Sequence, residues 1–102
     1  MTLTDFMTLI ESSFKTETLK KLVLSKPRQG GINKISCRLV AHRGRRLLAM
    51  EFFLPGNTVS HKNVGEEELK GELSPLIENY QQINLITTLG DAELKRSKSG
   101  KE

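Results

Sequence analysis

The residues equipped to act as ligands, nucleophiles or bases are few and poorly spaced for such work. His42 and His61 are the only histidines, and neither has the close His, Cys or carboxylate neighbour that a metal site uses. Cys37 is the only cysteine, so no internal disulfide can form and a thiolate cluster would need ligands from elsewhere. Gly30, Gly31 and Gly44 belong to no strand-GxGxxG-helix or GxxxxGK[ST] pattern and read as turn glycines. Ser12, Ser13, Ser25 and Ser60 lie outside any nucleophile-elbow context. The consecutive acids Glu66, Glu67 and Glu68 point in different directions at a helix start, where they favour the dipole without forming a cation site. The expectation is a chain with no catalytic residue, no cofactor-binding residue and no metal ligand.

The basic residues are the remaining candidates. The formal net charge is +4, and its distribution is uneven. No Asp or Glu occurs between Glu17 and Glu51, whereas Lys20, Lys21, Lys26, Arg28, Lys34, Arg38, Arg43, Arg45 and Arg46 all fall there. Lys26, Arg28, Lys34, Arg38, Arg43, Arg45, Arg46 and Lys62 are therefore the candidate nucleic-acid-binding set, with cations neutralising phosphates in a salt-dependent way. A solvated face, with Arg38 beside Glu51, is an equal alternative. Aromatics are only 5% of the chain, and Phe53 alone is expected among the cations for stacking. Recognition of shape or backbone fits better than reading of single-stranded bases.

These side chains are positioned by elements whose periodicity is legible. Phe6, Met7, Ile10 and Phe14 recur at helical spacing over Thr4 to Phe14, with Thr2 or Thr4 as cap and Asp5 in the first turn. Leu19 to Leu24 reads as an edge strand, ended by Pro27 and followed by Gly30 and Gly31. Arg43 and Gly44 form the turn of a hairpin in which His42 faces Arg45. That register pairs Leu39 with Leu48, Cys37 with Met50 and Ile35 with Phe52 on a core face. The opposite face receives Lys34, Ser36, Arg38, His42, Arg45 and Glu51, with Val40, Leu47, Ala49 and Phe53.

Beyond Pro55, Gly56 and Asn57, Thr58 to Val64 is a further strand. Leu69, Leu73, Leu76, Ile77 and Tyr80 keep the spacing of a second helix, which Pro75 should kink or restart with Ser74 as cap. Ile83 to Leu89 and Ala92 to Arg96 close the chain as a hairpin turning at Gly90 and Asp91. The expected fold class is α+β: an antiparallel sheet with two helices, in the order helix, four strands, helix, two strands. With 102 residues, 36% hydrophobic and 27% charged, one domain over residues 1–96 and a polar tail over 97–102 follow. No apolar run approaches the ~20 residues of a spanning helix, and the start lacks a basic leader, so a cytoplasmic location without membrane partners is expected.

In the order of its short motifs, the chain resembles the N-terminal region of a family of bacterial class I S-adenosylmethionine-dependent methyltransferases. The likeness runs from about Phe14 to Lys101. It rests on Lys21 through Arg28 (KLVLSKPR), Arg38-Leu39-Val40 with Gly44, His61-Lys62-Asn63, Leu85-Ile86-Thr87-Thr88 with Asp91, and Ser99-Gly100-Lys101. Met50 to Leu54 departs from the aromatic and arginine-rich stretch common in that family.

The resemblance implies a downstream Rossmann-like domain that binds S-adenosylmethionine, while no cofactor is expected in this chain. No residue of that site carries over. The expected function is a non-catalytic substrate-recognition domain of such an enzyme, binding RNA. The alternative is an interaction or packing module that positions the catalytic domain without nucleic acid. An exposed apolar patch including Val40, Leu47 and Phe53 would mark it.

Overall fold

The computed structural model describes residues 1–96. The element order is α1 (Leu3–Lys15), β1 (Leu19–Pro27), β2 (Lys34–His42), β3 (Arg45–Leu54), β4 (Thr58–Gly65), α2 (Leu69–Glu78), β5 (Tyr80–Thr87) and β6 (Gly90–Lys95). The chain is α+β, with the expected succession of helices and strands. The expected tail over 97–102 lies outside the described residues.

Helix α1 begins at a capping box, which satisfies donors that the first turn would otherwise leave free. Thr2 Oγ1 accepts from the Asp5 N–H at 3.0 Å, and the Asp5 carboxylate accepts from the Thr2 N–H at 3.4 Å. Phe6, Met7, Ile10 and Phe14 are buried along one face, as their spacing requires. The helix ends where Glu17 takes a left-handed φ of 60° and the Thr18 N–H turns back to the Ser13 carbonyl.

All neighbouring strands are antiparallel, in the order β4-β3-β2-β1-β5-β6. The β2–β3 hairpin has the expected register, His42 opposite Arg45 through Leu39 opposite Leu48 to Ile35 opposite Phe52. Arg43 and Gly44 supply the turn with φ of 52° and 77°, the left-handed pair that matches strand twist. β1 is not an edge strand. β5 pairs along its second side, from Leu19 opposite Thr87 to Pro27 opposite Tyr80. The lysines that gave β1 an edge-like pattern are exposed, while Leu22 and Leu24 are fully buried.

The second helix departs from expectation in two ways. Pro75 lies inside a single helix spanning Leu69–Glu78, so Ser74 caps no restart. Tyr80 belongs to β5, where its buried ring sends the hydroxyl to the Ile32 carbonyl at 2.9 Å. A short 3-10 turn of Glu66–Glu68 leads into α2, and Glu68 Oε1 accepts from the Gly65 N–H at 3.2 Å. The closing hairpin turns at Thr88 and Leu89, two residues before the expected position, because Thr87 pairs with Gly90.

The core lies between the helices and one face of the sheet. Phe6, Ile10 and Phe14 from α1 and Leu69, Leu73 and Ile77 from α2 join one cluster with Leu22, Leu24, Ile35, Cys37, Leu48, Met50, Ile83 and Leu85. Because strand side chains alternate, residues of the other parity emerge on a second face that neither helix covers. No described helix is long and apolar enough to cross a membrane.

Candidate interaction face

The bare face is ordered into rows by the strand registers. One row crosses all strands as Val59, Phe53, Lys34, Ser25, Gln82 and Lys95. The next reads His61, Glu51, Ser36, Val23, Asn84 and Glu93. Further along, Asn63, Ala49 and Arg38 stand in line, and Lys21, Ile86 and Asp91 continue the line on the other side. Val40 stands directly opposite Leu47, and both are half-buried.

Of the expected cations, Lys34, Arg38 and Arg45 have the parity of this face. The Lys34 ammonium sits over the Phe53 ring, 4.9 Å from its centroid, a cation–π arrangement between directly paired residues. Lys34 and Arg38 make no ion pair among the described residues. Arg45 lies 3.7 Å from Glu67 at the hairpin end. Glu51, expected beside Arg38, instead meets His61 Nε2 at 3.4 Å.

The other cations lie elsewhere. Arg46 shares the parity of Leu48 and reaches the helical side, pairing with Glu66 at 3.1 Å and Glu17 at 3.3 Å. The hydrogen bond to Glu66, with Glu17 adding to it, holds its guanidinium above the usual arginine pKa range. Lys62 stands opposite Met50 and bonds Glu72 of α2 at 2.5 Å. Arg28 donates to the Glu78 carbonyl at 2.9 Å, and its backbone N–H donates to the Asn79 carbonyl at 2.7 Å, so it closes the C-terminal end of α2. Lys26 is exposed at the end of β1 with a left-handed φ of 59°, and Arg43 is exposed in the hairpin turn.

The acid-free stretch of sequence is thus met in space by acids from its flanks, and the cations divide between two faces and the sheet's ends. Sequence reasoning also missed members of the bare face. Lys21 joins it through the pairing of β1 with β2, and Gln82, Asn84 and Lys95 join it only because β5 lies beside β1, a pairing that no local pattern announces.

Cys37 is buried between Leu22 and Met50 in register, and loss of water around the thiol raises its pKa to about 12. A thiol held protonated in this way is not a nucleophile at neutral pH. No group of three or more potential metal ligands gathers among the described residues. No protein-family model, curated protein or solved structure matches the chain.

Proposed function

We propose that the chain is a non-catalytic accessory domain of an S-adenosylmethionine-dependent methyltransferase, presenting the bare face of its sheet to an RNA substrate. The single observation that carries the RNA reading is Lys34 standing over Phe53 on an uncovered face, with Arg38 further along the same strand. That combination suits a phosphate backbone crossing the strands. The enzyme context rests on the sequence resemblance, and the cofactor would be held by a downstream domain.

The distribution of charge makes the proposal quantitative. Eight cations acting together would give a log–log salt slope of about −6 to −7, whereas Lys34, Arg38 and Arg45 give about −2 to −3. Titrating a structured RNA hairpin at several salt concentrations, with Arg38→Ala and Lys62→Ala beside the unaltered chain, tests this. The shallow slope, with weakening by Arg38→Ala alone, is the expected result. Absence of binding, or equal weakening by both variants, rejects it.

A second reading is favoured by Val40 and Leu47, a half-buried apolar pair with no helix over it. It fits packing of this face against the catalytic domain. In a polypeptide that includes that domain, slowed amide exchange confined to β2 and β3, without RNA, would establish it.

A further inference from the structure

Among the described residues β6 is the last strand of the sheet, with no neighbour on its outer side. The Arg96 N–H donates to the Gln81 carbonyl at 2.7 Å. In an antiparallel ladder hydrogen-bonded pairs alternate, so with the β5–β6 register Leu94, Ala92 and Gly90 spend their backbone groups on β5. The N–H and C=O groups of Asp91, Glu93 and Lys95 turn outward.

Two depressions flank this edge. On the helical side, a groove of about 420 Å³ has Leu9, Leu85, Leu89 and Ala92 among its walls. Leu9 is 39% exposed and Leu89 is 85% exposed. On the bare side, a depression of about 370 Å³ is bordered by Asn84, Ile86, Asp91 and Glu93. Both Glu93 carboxylate oxygens are engaged, Oε2 by Gln82 at 3.0 Å and Oε1 by Lys95 at 3.9 Å. The edge is therefore apolar on one side, while the other carries the acids Asp91 and Glu93 with Lys95 beyond them, in step with strand alternation.

We propose that β6 accepts an extended peptide as an additional antiparallel strand, and that the peptide alternates basic and apolar residues. Side chains opposite Ala92 and Leu94 turn toward the helical side, where the one opposite Ala92 meets the groove. Those opposite Asp91 and Glu93 lie on the bare side and carry the positive charge. Backbone bonds to the outward groups supply the affinity, and the alternation supplies the specificity. The β6 edge lies three strands away from Lys34 and Arg38 on β2, which carry the RNA reading, so either can fail alone.

The probe is a capped hexapeptide alternating lysine and leucine, compared with a peptide of the same composition carrying its lysines in one block and its leucines in another. Binding is followed by fluorescence anisotropy, and amide exchange locates it. The alternating peptide should bind and slow exchange at Asp91, Glu93 and Lys95. Asp91→Lys and Leu9→Glu should each weaken it by about tenfold or more, the scale of one well-placed contact. Glu93→Pro removes an outward N–H and the carboxylate that Gln82 and Lys95 meet, but no β5–β6 ladder bond, so it should abolish binding while circular dichroism stays native. If any variant unfolds, the exchange pattern on the unaltered chain decides. Equal binding of the blocked peptide, protection located on β4, or no binding at millimolar peptide overturns the proposal.

Discussion

Replacing Cys37 by alanine should change stability in opposite directions at neutral and alkaline pH. The thiol is 1% exposed, with Leu22 opposite it on β1 and Met50 on β3. Burial lifts its pKa from 9.0 to about 12. A folded-state pKa above the unfolded one means that the native chain keeps a proton which the unfolded chain releases. The associated stability is complete below about pH 9 and is lost progressively from there to about pH 12, at ~1.4 kcal/mol per pH unit.

From neutral pH to about pH 11 this group alone removes on the order of 2 to 3 kcal/mol from the unaltered protein. Cys37→Ala lacks that loss and instead carries a small cavity, costing about 1 kcal/mol at every pH. The two stability curves should cross near pH 10, with the variant the less stable at pH 7 and the more stable at pH 11. Urea unfolding of both proteins across that range, read as a difference so that other alkaline groups cancel, measures it. A difference that stays constant from neutral to alkaline pH refutes the burial argument.

The β2–β3 register is tested by neighbours on β3. Leu48→Asn should cost more than about 3 kcal/mol, from a fully buried site on the core face, while Leu47→Asn on the bare face should cost less than about 1 kcal/mol. Equal losses in denaturant midpoint would contradict the face assignment. Pro75→Ala should raise the midpoint, by up to the ~3 kcal/mol that an interior proline costs a helix, since Pro75 is exposed within α2. A lowered midpoint would show that the ring does something other than interrupt the helical ladder.

Much of the fold was legible because its signals are local. Thr2 and Asp5 stand three residues apart, and together they define the start of α1 before any packing occurs. Arg43-Gly44 specifies a tight turn, and from that turn the alternation of Ile35, Cys37 and Leu39 against Leu48, Met50 and Phe52 leaves one register. The misreadings have an equally physical origin. β1 has exposed lysines near both ends, Lys20, Lys21 and Lys26, as an edge strand would, and nothing within it states that β5 will lie alongside. Pro75 tolerates a helix that the packing of Leu69, Leu73 and Ile77 into the core holds together. Tyr80 keeps helical spacing with Ile77, but its hydroxyl finds the Ile32 carbonyl only from a strand.

The candidate site divides in the same manner. Composition and spacing alone determined that no familiar catalytic or metal-binding motif is present, and that cations outnumber acids through the middle of the chain. Where those cations stand was a tertiary decision. Arg46 and Lys62 differ from Arg38 only in strand parity and in which element lies beneath them. Glu17, Glu66 and Glu72 reach the first two because α1, the turn into α2 and α2 itself close over that side. Charge along a chain is one-dimensional, whereas neutralisation depends on distance in space, and only the folded sheet sets those distances.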